Sequence, residues 1–488
     1  MLLVILCGSL LLLFANISNQ YLWQDEAETA LVSKTILTNV LPRGSDGINF
    51  FSQMEGADCG PYYIWRWHTW LPFYVLAGFY KVFGVSAFVS RLPFILFGFG
   101  TILLIYFLGK ALWPNTRVSV IATGLLSISV PFLLLCRQCR YYSMAMFFSM
   151  LSLYAYTAFL ERKKLAAVML FIASMLLFHS QHIYIAVFFA TVLLHSIIFH
   201  RDRLKILLAI MAVTTIANIP WIIWLHPRLH TAGMLKLPVL FRVVVTFISQ
   251  IHHYIFPFWL LAVLLIVILV KGGNIIKRYL AQKPLFWERV LLLIFFVIFN
   301  IVVVSVVAPV PFFRYIAPSI PPLIILIATI IDAAMSVHLL FAVVIAAILI
   351  ATGQLKDYLY EITHDYDGPI EGIVRYLNEH GSSDDIVAIT YGDLPLKFYT
   401  KMRIVGGFTG EDLEPAKGAR WVIIRNHILC GSDKMVRDYL LNNIKWKRYR
   451  RIVLDYPDTP WQNREDPARH YFRTCTKENK VVIYERTY

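Results

Sequence analysis

Apolar positions in this chain run in long unbroken stretches, and the stretches recur near the ~20 residues that carry a helix across a bilayer. About eleven can be delimited: residues 2–20, 86–109, 117–136, 141–160, 164–179, 182–199, 204–225, 254–271, 289–309, 315–333 and 336–353. Residues 70–83 are apolar too, but too short to cross beside their neighbour, and read as a re-entrant or interfacial helix. The chain begins like a signal peptide, yet Met1–Leu2 bring no positive flank and no small-residue cleavage site is clear, so an uncleaved first span is expected. After Gly353 the texture changes. Gly368–His380 predicts a helix, Ile386–Thr390 a strand, Leu394–Tyr399 a short helix, Arg420–Ile424 and Val481–Tyr484 further strands, and Lys434–Asn442 a helix between them. The fold expected is a polytopic α-helical membrane protein. It has a transmembrane domain over 1–354, whose first outer loop is 21–70, and a small α/β domain over 355–488.

Composition agrees: 58% of residues are hydrophobic and 15% charged, against about 25% charged in soluble domains. Mean hydropathy is +0.63. Lys and Arg outnumber Asp and Glu by 45 to 30, but in short clusters between apolar runs, which speaks for membrane topology and against nucleic acid. With the N-terminus inside, the loops Lys110–Arg117, Glu161–Lys164, His200–Lys205 and Lys271–Arg289 are cytoplasmic. They hold Arg162, Lys163, Lys164, Arg201, Arg203, Lys205, Lys277, Arg278 and Lys283, as the positive-inside rule requires. The same parity sends 21–70 and everything after 354 outside, making the C-terminal domain extracytoplasmic. Cys59, Cys136, Cys139, Cys430 and Cys475 then lie near or beyond the outer face, where a disulfide can persist. Cys136 and Cys139 form a CxxC that reads as membrane-edge packing, and no spacing marks a zinc site.

Candidate chemistry collects on that outer side. Trp23-Gln24-Asp25-Glu26-Ala27-Glu28 opens the first loop. Asp25 and Glu28 have capping-box spacing, so Asp25 is expected to cap a helix running to about Asn39, with Ala27, Ala30, Leu31 and Leu37 as its apolar stripe. A cap can also present a carboxylate to a cavity, and acids beside an apolar phase are functional candidates. Here one would deprotonate an acceptor hydroxyl. Arg137-Gln138-Cys139-Arg140-Tyr141-Tyr142 falls between the third and fourth spans, and Phe313-Arg314-Tyr315 with Pro318, Pro321 and Pro322 opens the tenth. Arginine forks suit phosphate, although either group also serves as a helix-end anchor. His68 closes the first loop; His179, His182 and the pair His252-His253 read as membrane-edge histidines.

No Walker A sequence or dinucleotide fingerprint is present, and an outward site has no ready supply of cytoplasmic nucleotides. A donor arriving through the bilayer is a lipid. Lipid-linked sugar phosphate fits an apolar groove for the tail, arginines for the phosphate and a carboxylate for the acceptor.

The segments Asp25-Glu26-Ala27-Glu28-Thr29-Ala30, His68-Thr69-Trp70-Leu71-Pro72-Phe73-Tyr74, Phe83-Gly84-Val85-Ser86, Ser90-Arg91-Leu92-Pro93, Arg140-Tyr141-Tyr142-Ser143 and Arg314-Tyr315 with Pro318 resemble the GT-C superfamily of polyprenyl-phosphate-sugar-dependent glycosyltransferases. The group most resembled is that of the protein mannosyltransferases and lipid A aminoarabinose transferases. The resemblance covers most of residues 20–145 and the tenth span. It implies a GT-C-like fold in a bacterial inner membrane, with Asp25 as the catalytic carboxylate, Glu26 its partner and His68 a helper. Arg137, Arg140, Arg314 and Tyr315 then face the donor phosphate. It implies inverting transfer to a lipid, glycan or protein acceptor, and leaves a divalent metal open, because His68-Thr69-Trp70-Leu71-Pro72 replaces an acid followed by Lys-Pro. No Trp-Trp-Asp-Tyr-Gly segment of the oligosaccharyltransferase kind is present, and Asp365-Tyr366-Asp367 sits in a linker poorly placed for a metal–nucleotide site. The rival class is a transporter or flippase for a lipid-linked or anionic substrate, which predicts two related halves with helices broken at the midplane. No internal repeat is evident.

Overall fold

The computed structural model describes residues 1–113, 115–225, 237–273, 285–308, 310–351, 354–365, 367–407, 410–425, 431–459, 467, 470 and 479–487. Lys277, Arg278, Lys283, Gly353, Tyr366, Cys430 and Cys475 lie outside them. Helix α1 (Leu2–Phe14) leads to α2 (Gln24–Asn39), then a long loop reaches α3 (Leu71–Phe83). There follow α4 (Ala87–Leu112), α5 (Thr116–Ser127), α6 (Val130–Cys136), α7 (Tyr142–Leu160), α8 (Ala166–Ser180), α9 (Ile183–Phe199), α10 (Leu204–Leu225), α11 (Leu237–Tyr254), α12 (Phe258–Lys271) and α13 (Leu285–Val307). A 3-10 turn at Phe313–Ser319 runs into α14 (Ile320–Val337), followed by α15 (Leu340–Ala351) and α16 (Gln354–Thr363).

Among the described residues five helices are long and apolar enough to cross a membrane, and up to seven if the pairs α5–α6 and α11–α12 each count as one bent span. Helices α1, α8 and α9 are apolar but shorter, at 13, 15 and 17 residues, so length and composition establish fewer spans than the about eleven expected. Helix α11 was not among the expected elements, since Arg242, Gln250 and His252 break its hydropathy. Both bends have a proline at the break: Pro131 opens α6 and Pro257 precedes α12, each lacking the N–H a continuous helix needs. Central α7 has 72% of its apolar window buried and outer α10 only 17%. That inversion of the soluble pattern leaves the outer helices' apolar faces to lipid.

The C-terminal segment forms a small sheet, strands β1 (Ile386–Ile389), β2 (Arg403–Gly406), β3 (Trp421–Ile423), β4 (Tyr449–Pro457) and β5 (Lys480–Arg486), in the order β2-β1-β3-β5-β4. β1 pairs parallel to β2 and β3; β5 pairs antiparallel to β3 and β4. Alternation puts Val387 and Ile389 on one face with α17 (Pro369–His380), whose Ile373 and Leu377 cover them. Ala388 faces the other way, toward Val436 and Leu440 of α19 (Gly431–Asn443). Between β1 and β2 lies α18 (Asp393–Tyr399), which docks on α2.

Candidate active site

Trp23, not Asp25, is the N-cap of α2, and its N–H donates to the Glu26 carboxylate three residues on, at 3.4 Å. The cap expected at Asp25 is thereby corrected: Asp25 sits inside the first turn, where a carboxylate also meets the positive end of the helix dipole. Asp25 and Glu28, three apart, share one face. That face meets Arg140.

Arg140 Nη1 donates to Glu28 Oε1 at 2.7 Å, to the Asp25 carbonyl at 3.0 Å and to Thr29 Oγ1 at 3.0 Å. Its Nη2 lies 3.7 Å from Asp25 Oδ2, and Arg314 Nη1 lies 3.2 Å from the same oxygen. Gln53 Nε2 bridges the acids, at 3.3 Å from Asp25 Oδ1 and 2.6 Å from Glu28 Oε2. The Arg314 guanidinium lies 4.6 Å from the Phe312 ring centre, 5.5 Å from Tyr315 and 5.9 Å from Trp23, contacts that fix its plane. Two carboxylates thus face two guanidiniums in a nearly closed space. Burial, added to by the neighbouring Asp25 charge and opposed by Arg140, pushes Glu28 up to about 7. The Asp58 carboxyl in the same loop is also raised by burial. Asp25 keeps 15% of its side chain exposed and Glu28 only 4%, so Asp25 is the acid a second molecule can reach.

The other expected site residues lie around this centre. Glu26 turns to Arg91, with Oε2 2.6 Å from Nη2 and Oε1 2.8 Å from Nε, and it accepts the Cys139 N–H at 2.7 Å. Arg91 also ties down the Ile17, Gln20 and Tyr21 carbonyls. Arg137 caps the end of α1 through the Leu12 and Leu13 carbonyls. His68 packs its ring 5.4 Å from that of Tyr141, beside Arg140 in sequence. The Tyr315 carbonyl accepts the Tyr184 hydroxyl at 3.0 Å. Gln53 and Arg91 had no role assigned from sequence, and Glu28 only that of capping-box partner to Asp25. The i,i+3 spacing to Asp25 signals Glu28; nothing local marks Gln53.

The C-terminal segment braces this site. Asp393 and Lys397 of α18 form a fully buried pair at 2.9 Å. Asp393 Oδ1 accepts Gln24 Nε2 at 2.7 Å, and Lys397 Nζ donates to the Phe50 carbonyl at 2.6 Å. Gly407, at φ +69°, lets the chain pass this carboxylate, since a Cβ there would lie 2.1 Å from Asp393 Oδ1. The Tyr399 hydroxyl accepts the Leu22 N–H, and Asn49 bonds the Met402 carbonyl and the Ile404 N–H at the β2 edge.

Among the described residues no three His, Cys, Asp or Glu side chains gather to hold a metal ion, and the two arginines beside Asp25 favour an anion over a cation. Cys7, Cys59, Cys136 and Cys139 are free thiols.

Comparison with known proteins fits this geometry. The model of the dolichyl-phosphate-mannose-protein mannosyltransferase family matches residues 67–224. Among solved structures, ArnT from Cupriavidus metallidurans bound to undecaprenyl phosphate superposes with a TM-score of 0.58 at 13% identity, covering 99% of this chain and 97% of that one. Its apo form gives 0.57 at 14% identity, over the same shares of both chains. The archaeal oligosaccharyltransferase AglB from Archaeoglobus fulgidus, in complex with an inhibitory peptide and a dolichol-phosphate, gives 0.55 at 12% identity, over 95% of this chain and 74% of that one. No curated protein sequence matches the chain. The chain is a multi-pass integral membrane protein that shares its fold with ArnT and AglB and resembles the dolichyl-phosphate-mannose-protein mannosyltransferase family over residues 67–224.

Proposed function

We propose that this protein transfers a sugar from a polyprenyl-phosphate donor to an acceptor at the extracytoplasmic face, with inversion at the anomeric carbon. The observation that carries the reading is the Asp25 carboxylate set between Arg314 and Arg140. Two guanidinium groups converge where a phosphate would fit, beside an acid that remains reachable. The Lys- and Arg-rich loops of the opposite side support the outward placement, and the undecaprenyl phosphate and dolichol-phosphate bound to the two superposing proteins support a lipid phosphate.

In the reaction the donor phosphate takes the guanidinium hydrogen bonds that Asp25 now holds. Asp25, released from Arg314, accepts the proton of the acceptor hydroxyl. The acceptor oxygen bonds to the anomeric carbon as the bond from that carbon to the phosphate oxygen breaks. Polyprenyl phosphate leaves with both electrons, its added charge held by Arg140 and Arg314. Where the acceptor is itself a phosphate no base is needed, and Asp25 orients it. Glu26 and Arg91 hold the turn that carries Asp25, and His68 stands behind Arg140 through Tyr141.

The test is transfer of labelled sugar from a panel of synthetic polyprenyl-phosphate sugars by the purified protein, beside Asp25→Asn. Loss of about 10²-fold or more in a variant that melts normally is the expected outcome for a general base. Full turnover by the folded variant refutes that role, and no turnover of any donor with a full acceptor panel brings transport forward.

A further inference from the structure

The two helix breaks open onto one space. Ile128 and Ser129, between α5 and α6, and Ile255, Phe256 and Pro257, between α11 and α12, line a single cavity of about 300 Å³ together with His252, His253 and Gln354. The helices bend there by 64° and 72°. Irregular backbone at membrane depth is tolerated where protein buries it or where it faces a polar cavity, and two breaks meeting at one cavity point to a site. The Phe258 N–H donates to His252 Nδ1 at 2.7 Å, which fixes the ring proton on Nε2 and makes that atom a donor. The N-terminal end of α12, at Pro257 and Trp259, also borders the cavity and favours negative charge.

A second cavity, of about 370 Å³ and mostly apolar, adjoins the first. Both are lined by Leu125 and Ile128. Its wall on α5 is Arg117, Val120, Ile121, Gly124 and Leu125, a single helical face at i, i+3, i+4, i+7 and i+8, which Ile128 just past the helix end continues. That face is about 17 Å long, roughly one leaflet of a ~30 Å hydrocarbon core. Arg117 at the far end is paired to Asp332 at 3.2 Å. The space therefore has a polar head compartment and an apolar tail compartment in line.

We propose that this two-part cavity binds one phosphate-headed lipid, with the phosphate at His252, His253 and the start of α12, and the hydrocarbon chain along the 117–128 face of α5. The site is separate from the Asp25–Arg140–Arg314 centre and stands without the transferase reading. It adjoins that centre through Tyr254, whose ring lies 5.9 Å from that of Phe313, next to Arg314. The chemistry suits two sources, a phospholipid of the bilayer or a polyprenyl phosphate.

The probe is dodecyl phosphate, titrated onto the delipidated full chain in detergent and read by native mass spectrometry. Binding weakens at least about tenfold in the double variant His252→Leu/His253→Leu and in Gly124→Trp, which fills the tail compartment, and dodecanol binds at least about tenfold more weakly. A diazirine-tagged dodecyl phosphate labels α5 peptides of the unmodified protein, a readout that survives any variant that fails to fold. Displacement by phosphatidylglycerol identifies a bilayer lipid and displacement by undecaprenyl phosphate a lipid substrate; both uphold the site. Displacement by neither, or labelling that avoids α5, overturns it.

Discussion

Replacing Lys397 by Met tests whether the C-terminal segment holds the candidate active site in shape. The Lys397–Asp393 pair has no exposed side-chain surface and a separation of 2.9 Å. Met fills the aliphatic volume but leaves the Asp393 carboxylate buried with Gln24 as its remaining donor among the bonds described above. Breaking a buried pair from one side costs about 3–5 kcal/mol, a large part of a total stability of about 5–15 kcal/mol. The double change Asp393→Leu/Lys397→Met removes both charges, and buried pairs exchanged for apolar residues in this way range from neutral to about 1–4 kcal/mol more stable. Stability thus returns in the double variant, but the anchors do not. Gln24 immediately precedes Asp25, and Phe50 lies three residues before Gln53, the bridge between Asp25 and Glu28. Misplacement of a reacting group by about 1 Å can cost about 10²-fold in rate. Denaturant melts of the detergent-solubilised protein should therefore show K397M strongly destabilised and the double variant near wild type. Labelled-sugar transfer should be low in both, through kcat more than KM. A double variant that is stable and fully active would refute the brace.

Three further outcomes follow from the same contacts. Arg314→Lys keeps the charge but loses the flat fork that lies 4.6 Å from the Phe312 ring; donor KM should rise about tenfold, and an unchanged KM would remove Arg314 from the donor site. Arg91→Met leaves Glu26 buried with only backbone donors among the contacts described, so melts should show a loss of about 3–5 kcal/mol, and a loss under about 1 kcal/mol would mean that the pair does not hold the turn. Glu28, raised from 4.5 to about 7, makes the folded chain bind more protons than the unfolded chain between those values. Stability therefore falls as pH rises through that window, by up to about 3 kcal/mol for a gap of about 2.5 pH units. Glu28→Gln should flatten the slope in melts at stepped pH, and an unchanged slope would assign it to another group.

What could be read from residue order alone divides along a physical line. Apolar run length marks most of the helices in the membrane portion, because a bilayer demands nearly the same length of every span. It passes over α11, whose Arg242, Gln250 and His252 lower its hydropathy while leaving it helical. It also cannot foresee that α5–α6 and α11–α12 bend at one cavity, since each proline acts locally and their meeting is tertiary. In the sheet, β4 carries Arg450, Arg451 and Asp455 on an edge position where charge is tolerated, so the alternation that identifies strands is hidden. At the candidate site, charged residues beside apolar runs are conspicuous, and Asp25, Arg140 and Arg314 stand out for that reason. Their partners do not. Glu26 and Asp25 are neighbours in sequence, yet one residue along a helix turns the side chain by about 100°, sending Glu26 to Arg91 and Asp25 to Arg314. Two adjacent acids read as a pair from the sequence are, in the fold, one acid buried against a structural arginine and one held at an opening. The division of labour between them is a property of helix geometry, and helix phase relative to Arg91 and Arg140 is the quantity a linear reading lacks.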